Sequence, residues 1–423
     1  MSEARPGPDQ AASADPRKFN RRTIAMVGRV AMTAAAAQVG QRQALIRGDL
    51  KAAILGATGR GDYGHELDFC LSHRDDIELV AIADADQNGL LKVANHLKPR
   101  NTYLDYRELL AVEKPQLVVV APRHADQHHD MARAAIAAGA HVLLDKPYTC
   151  DLIEADAVNA AAEQARVRVA VAHQMRLAPN IIYLHDIIDG GLIGDLLEIR
   201  AWGKQDHRAG GEDMMVLGVH QFDLMRLFAG DPLWCSARVT HEGRDIRSAD
   251  AFVPRENVGR VAGDEISAQF AFANGVQATW TSRHRLREQT GNWAIELHGS
   301  AGSARINCDV PPRIYVARRS AWDVKGRTES WEPLMKDPIG IDRARRFNFS
   351  TENARLVDDW IDAVRCAREP VANAVNATKA IEMVMAVYQS ALSGNRVGFP
   401  LSDRRHPLRP EPPATRRMAK DLY

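Results

Sequence analysis

The apolar positions of this chain keep one rhythm in its first half and another in its second. From Lys51 they fall in short unbroken blocks: "KAAIL", "IELVAIA", "LVVVA", "HVLL" and "VRVAVA". Between the blocks the spacing is helical. "GLLKVANHL" and "DQHHDMARAAIAAG" read as helices, the second closed by Gly139. A helix is also expected from about His65 to His73. Asp151 with Glu154 resembles a capping box that opens a helix running to about Arg166. Continuous apolar strands alternating with helices predict a parallel sheet covered on both faces. This doubly wound α/β domain is placed at 49–173.

After Gln174 the rhythm changes. "NIIYLHDIID" is a helix ended by Gly190-Gly191, "LLEIRAWG" a strand and "GVHQFDLMRLFAG" a helix. "WCSARVTH", "EISAQFAF", "VQATWTSRH", "WAIELHG" and "SARINC" alternate as strands do, and Asn274-Gly275 marks a tight hairpin between two of them. Two helices, about 351–368 and 376–393, close the pattern. The second part is therefore an α+β domain with a mostly antiparallel sheet, placed at 174–400. The Pro- and Arg-rich remainder, 401–423, is expected to be a surface arm.

The first 48 residues follow neither rhythm. Residues 1–16 have a disordered composition. The pair Arg21-Arg22 then precedes a mildly apolar, Ala-rich run. That is the shape of a twin-arginine export signal with cleavage near Ala36 or Ala37, although Arg29 interrupts the run. The expected location is periplasmic or exported, with the cytoplasm as the alternative. Charge adds little: the net value is +1, with no basic footprint for nucleic acid. There is no apolar run long enough to span a membrane. The cysteines, Cys70, Cys150, Cys235, Cys308 and Cys366, are odd in number and scattered, which argues against a disulfide framework or a zinc site.

Candidate chemistry begins at the first strand-to-helix turn, "LGATGRGDYGH". Gly56, Gly59 and Gly61, with Thr58 and Arg60 among them, would let backbone approach a pyrophosphate. The spacing departs from G-x-G-x-x-G, and such turns also occur without a ligand. Asp84, at the end of the second strand, strengthens the case. A carboxylate there accepts bonds from ribose hydroxyls and repels a 2′-phosphate, so NAD is favoured over NADP.

Ligands of open parallel sheets sit beyond the carboxyl ends of the strands. Pro122 lies at one such end, and Asp145, Lys146 and Pro147 at another. A lysine beside a nicotinamide can bond a substrate hydroxyl and stabilise its developing charge, and its pKa falls if it is desolvated. Read alone, it is a surface lysine at a strand exit. His220 and Asp223 lie three apart on one helical face, so the acid is expected to orient the imidazole; the plainer reading is a core histidine. His124, His128 and His129 form a cluster without Cys or acid partners at ligand spacing, so no metal is expected.

With "LGATGRGDYGH", "VAIADAD", "VVVAP", "AGAHVLLDKP", "AHQMR", "GLIGD" and "GGEDMMVLGVHQFDL" in this order, the chain resembles the Gfo/Idh/MocA oxidoreductases over about 50–401. The family's E-K-P signature stands here as Asp145-Lys146-Pro147. The resemblance implies a Rossmann domain holding NAD(P), then an α/β domain whose open sheet often mediates homodimers or homotetramers. It implies a lysine, an aspartate and a histidine as catalytic groups. Lys146 and His220 match the first and last, but the aspartate's position is Val216, with Glu212 and Asp213 nearby.

The leading expectation is hydride transfer between the cofactor and a sugar, sugar-acid or polyol hydroxyl. His220 takes the hydroxyl proton and Lys146 holds the oxygen. Gln174, Arg176, Lys204, Arg208 and Asp213 are candidate substrate contacts, each equally readable as a surface ion pair or polar residue. Two alternatives stand beside it. One is a redox-neutral glycosidase or lyase with tightly bound NAD, which an exported protein would suit. The other is a non-catalytic NAD-binding protein, supported by Val216.

Overall fold

The computed structural model describes residues 49–286, 293–323, 330–335 and 349–410. The expected export signal and the last residues of the expected arm, 411–423, lie outside the described residues.

The first lobe is a six-stranded parallel sheet. Its strands are β1 (Leu50–Leu55), β2 (Ile77–Ala83), β3 (Asn101–Tyr103), β4 (Leu117–Val120), β5 (His141–Leu144) and β6 (Val169–Val171), in the order β3-β2-β1-β4-β5-β6. The order reverses between β1 and β4, which opens a crevice at their carboxyl ends. The connecting helices are α1 (Gln87–Leu97), α2 (Tyr106–Glu113), α3 (His128–Ala137) and α4 (Leu152–Ala165). Asp86, Asp105 and Asp151 cap α1, α2 and α4 with their side chains. In α4 the reciprocal Glu154 carboxylate accepts from the amide of Cys150 at 2.9 Å. The sequence reading had no counterpart for β3 and α2, whose residues lack a long apolar block.

The helix expected at His65–His73 is instead a 3₁₀ segment, Gly64–Phe69. His65 and Glu66 stand at φ of 50° and 59°, in the left-handed region that breaks a regular helix.

β1, β4, β5, β6 and the second half of β2 are buried on both faces, while the edge strand β3 is largely exposed. Ala53, Leu55, Val118, Val120, Val142 and Leu144 pack into the larger core. Leu50, Ala52, Ile54, Leu117, Val119 and Leu143 face the other way. That second face is covered by Leu67, Leu71 and Leu90 and by Leu356, Val357, Trp360 and Ile361 of α7 (Phe349–Arg365), so the chain returns across the expected 173/174 boundary to complete the first lobe.

The second lobe follows α5 (Pro179–Asp189). Its strands are β7 (Leu196–Trp202), β8 (Trp234–His241), β9 (Arg244–Asp245), β10 (Glu265–Ala271), β11 (Gln277–Arg283), β12 (Ala294–Gly299), β13 (Ser303–Asn307), β14 (Arg313–Ala317), β15 (Glu332–Pro333) and β16 (Val397–Gly398). Among the described residues they form one sheet, β15-β14-β13-β12-β7-β11-β10-β8-β16, with β9 on β8. All pairs are antiparallel except β7 with β11. Ala273–Gly275 turns β10 into β11, where the Asn-Gly pair predicts a hairpin.

Two helices, α6 (Val219–Ala229) and α8 (Ala374–Ser393), lie on one face of this sheet. Phe222 of α6 meets Phe270 and Trp280 with ring centroids 5.5 and 5.6 Å apart. Residues 401–410 were expected on the surface but are partly built in. Leu401 and Leu408 are buried, and Arg404 holds Asp156 of α4 at 2.7 Å. Among the described residues no helix is long and apolar enough to cross a membrane.

Candidate functional site

The loop after β1 folds on itself before it meets anything else. Ala57 and Asp62 exchange backbone hydrogen bonds, and the Asp62 carboxylate accepts from the amide of Gly59 at 2.8 Å. Gly61 lies against the backbone of Arg123 and His124: a Cβ there would come within 2.6 Å of both amide nitrogens. Gly59, at φ of 80°, has open space where a side chain would be. Arg60 pairs with Asp126.

Asp84 is buried at the end of β2 and serves this loop. It accepts from the amide of Thr58 at 3.1 Å, from the Thr58 hydroxyl at 2.6 Å and from the amide of Asp86 at 3.0 Å. Its lone pairs are thus largely used by its own chain. The ring of Tyr63 covers Gly56, where a Cβ would lie 2.1 Å from a ring carbon. Burial and the nearby Asp84 charge push the Tyr63 phenol far up. In this conformation Asp84 therefore holds the loop, where an open ribose acceptor was expected.

The ends of β4 and β5 are joined by a residue that the sequence reading set aside as part of a histidine cluster. His128 is fully buried. One ring nitrogen lies 2.7 Å from the carbonyl of Pro122, and the other 2.9 Å from that of Pro147. His129 pairs with Asp130, and His124 lies 3.1 Å from the Asn257 amide nitrogen, so the three histidines face different partners. Among the described residues no group of three or more His, Cys, Asp or Glu could hold a metal ion.

Beyond these strand ends lies a cavity of about 310 Å³ between the lobes, lined by Lys146, Gln174, Lys204, Arg208 and His220. Lys146 is 3% exposed and donates through Nζ to the carbonyl of Val216 at 3.1 Å. Burial pushes its ammonium down to about 8, against the pull of Asp145 and Glu256. Asp145 has no exposure. It accepts from the Lys146 amide at 2.8 Å and lies 2.8 Å from Nδ1 of His65. Burial raises its carboxyl, but His65, Lys146 and His128 outweigh that and hold it low.

The helix carrying His220 begins irregularly. Gly211–Asp213 runs into a π-turn, Met214–Gly218, and then into α6. Such turns disturb the regular carbonyl ladder and recur at functional sites; here the turn contains the carbonyl that Lys146 reaches. Gln221 then fixes α6 to the sheet. Its amide nitrogen donates to the carbonyls of Trp202 and Ala294, and its oxygen accepts from the Trp280 indole at 2.6 Å.

His220 points into the cavity beside Trp293 and His173, with ring centroids 6.0 and 5.4 Å away. Its Nδ1 is buried without a partner. Burial, then the charge of Lys146, holds its imidazole well below the ordinary value.

Three expectations at this site are corrected. Asp223 does not orient His220. It takes a two-pronged ion pair from Arg176, at 2.8 and 2.9 Å, with His173 at 3.8 Å. Arg176 is thereby committed to the core, where its charge is matched, and is not among the residues lining the cavity. Asp213 is also internal. It accepts from the amides of Lys204 and Gln205 at 3.1 and 3.0 Å and from the Ser282 hydroxyl at 2.7 Å, and so shapes the Lys204 loop from beneath. Arg208 does line the cavity, bound to Asp206 and, at 3.1 Å, to Glu256. Gln174 lines it with a buried, unpartnered Oε1.

The sequence reading missed His65, Arg123, Glu256, Trp293 and Glu352, which also line the cavity. They come from segments far apart in the chain, and none carries a local spacing signal.

Comparison with known proteins bears on both lobes. A family model described as "Oxidoreductase family, NAD-binding Rossmann fold" matches residues 50–173. A second, "Oxidoreductase family, C-terminal alpha/beta domain", matches 195–399. The D-apiose dehydrogenase of Paraburkholderia graminis is 24% identical over 343 residues, covering 76% of this chain and 83% of that protein. The D-glucoside 3-dehydrogenase of Escherichia coli is 23% identical, covering 84% of this chain and 99% of its own. A solved levoglucosan dehydrogenase in complex with NADH and levoglucosan superposes with a TM-score of 0.68 at 19% identity, covering 84% of this chain and 100% of that one.

Proposed function

The chain belongs to the Gfo/Idh/MocA oxidoreductase family, and on that premise we propose that it is a NAD-dependent dehydrogenase acting on a hydroxyl of a sugar, sugar acid or polyol. One observation carries the reading. Lys146 and His220 come from different lobes, line one cavity, and leave a buried imidazole nitrogen without a protein partner. The sugar dehydrogenases among the relatives support the substrate class.

The residues near the crevice fit the cofactor at two places. Gly59 and Arg60 form the exposed tip of the loop, with open space beside Gly59, and Pro122, Asp145 and Lys146 form the strand ends beneath the cavity. Asp84 holds that loop, and its charge still disfavours a 2′-phosphate. Bound NAD supplies two-electron redox chemistry at the cavity. His220 is neutral at pH 7 and takes the substrate hydroxyl proton on its unpartnered nitrogen. The Lys146 ammonium holds the same oxygen as charge develops on it. Gln174 and Arg208 orient the remaining hydroxyls.

The test uses protein purified without added nucleotide. Any nucleotide it releases on denaturation is identified by mass, and the native protein is assayed for nicotinamide reduction across a sugar and polyol panel. Multiple turnovers on added NAD support the dehydrogenase. If no NAD is retained or bound, the reading falls.

The pair Arg21-Arg22 favours a second reading. An exported enzyme would keep its NAD and restore it in each cycle of a redox-neutral glycoside cleavage or elimination. Stoichiometric retained NAD and turnover without added cofactor are its signature. Export to the periplasm is itself part of this proposal, checked by N-terminal sequencing of the protein from cell fractions. Assembly as a homodimer or homotetramer is proposed likewise, and light scattering tests it.

A further inference from the structure

The first turn of α7 enters the cavity from far along the chain. Glu352 is 6% exposed and lines the cavity together with Lys146, His220 and Trp293. Its Oε1 accepts from the Arg355 guanidinium at 3.2 Å, while its Oε2 is buried without a hydrogen-bond partner. The next residue, Asn353, has no exposure and donates to the carbonyl of His65 at 2.7 Å. The turn is therefore tied to the residue whose ring bonds Asp145, next to Lys146. Burial raises the Glu352 carboxyl and Arg355 draws it partly back.

A buried carboxyl oxygen without a donor is costly, and native structures seldom leave one so. This oxygen belongs to a residue of the cavity wall, where a ligand can supply the donor. The chemistry that satisfies it is a neutral hydroxyl; a ligand carboxylate at the same place would be repelled. We propose that Glu352 is a specificity-determining substrate contact that binds a hydroxyl of a neutral sugar or polyol through Oε2. This rests on the carbohydrate reading of the cavity given above.

The test is calorimetry on the full-length, NAD-loaded protein, titrated with D-glucose, myo-inositol and the monodeoxyglucoses. Turnover is assayed in parallel on the same sugars. E352A should weaken the preferred sugar about 10- to 100-fold, the loss expected for one hydrogen bond to a charged group. One deoxy analogue should show the same loss on the wild-type protein and no further loss on E352A. E352Q keeps an acceptor oxygen and should lose less. Unchanged NAD affinity in both variants reports an intact fold.

If E352A binds every sugar within twofold of wild type, the role of Glu352 is overturned and the dehydrogenase reading stands. A wild-type protein that binds sugars but never reduces NAD overturns the dehydrogenase reading, and E352A still decides the role of Glu352. A wild-type protein that binds no sugar overturns both.

Discussion

Lys146 donates from Nζ to the main-chain carbonyl of Val216 at 3.1 Å, joining the end of a first-lobe strand to the π-turn of the second lobe. Val216 itself is apolar and 2% exposed, so the lysine finds a carbonyl dipole there and no carboxylate. A dipole compensates a buried ammonium less than a full charge does. Burial accordingly holds Lys146 down at about 8, although Asp145 and Glu256 oppose it.

This sets the pH dependence of turnover. His220 is held well below the ordinary imidazole value, so it stays a competent proton acceptor through the range where a free histidine would be half protonated. The profile of kcat/KM should be flat on the acid side down to below 6.5 and fall on the alkaline side near 8, as Lys146 loses its proton. Lys146→Arg should retain weak activity and lose that alkaline limb, because a guanidinium does not titrate there. An acid limb centred at the free-histidine value would remove His220 as the base. His220→Gln should lower kcat/KM about 10²- to 10⁴-fold.

The same lysine should cost stability. Its folded value, about 8, lies below its ordinary value of 10.5. Below about 8 both folded and unfolded chains hold the proton, and the penalty for burying the charge is fully present. Between the two values the folded chain has shed the proton while the unfolded chain keeps it, so stability rises with pH. Lys146→Met should abolish turnover yet raise stability at pH 7 by up to roughly 3 kcal/mol, less the lost bond to Val216. The advantage should shrink as pH climbs from 8 toward 10.5. Urea melts of both proteins across this range check the sign. A variant less stable than wild type at every pH would show that the Val216 bond outweighs the burial cost.

Arg176 and Asp223 behave in the opposite way. Asp223 is buried and Arg176 nearly so, and the guanidinium donates two hydrogen bonds to the carboxylate and a third, at 3.0 Å, to the Asp223 carbonyl. Burial raises the Asp223 carboxyl, but His173 and Arg176 more than reverse it, so its folded value is depressed. Its contribution is present above the unfolded carboxyl value and is lost as pH falls toward the folded one. Arg176→Met leaves an uncompensated charge and should cost about 3–5 kcal/mol at pH 7. NAD affinity should be unchanged in whatever fraction remains folded. A large fall in sugar affinity without loss of stability would restore Arg176 as a substrate contact.

Much of this arrangement is legible in the sequence because it is local. The strands of the first lobe other than β3 are largely apolar blocks, and Asn274-Gly275 announces its hairpin. Lys146 could be placed because a strand end in a parallel sheet is itself a position in space. What could not be read depends on pairing across the chain. Nothing in the local spacing of His220 and Asp223 says that Arg176 captures the acid first. Nothing near Glu352 says that its helix reaches the cavity. His128 stands next to His129 in sequence, yet the fold gives it the strand-end carbonyls of Pro122 and Pro147, while His129 stays at the surface edge.

The same limit governs the first lobe as a folding unit. Read locally, 49–173 holds every strand of its sheet. Its second face, however, is closed in part by Leu356, Val357, Trp360 and Ile361 of α7. The segment after α7 continues the edge: the amide of Val171 donates to the carbonyl of Ala372 at 2.9 Å, and Ala170 forms a bridge with Asn373. Residues 49–173 alone would expose Ile54, Val119 and Leu143 to water, each worth about 1.5–3 kcal/mol of burial. That fragment should aggregate or melt without cooperativity. The same fragment joined by a flexible linker to 349–373 should show a cooperative thermal transition by circular dichroism. Within the whole chain, Trp360→Ala should cost about 3–5 kcal/mol. A fragment 49–173 that melts cooperatively by itself would show that α7 is a cover for this lobe and not part of its core.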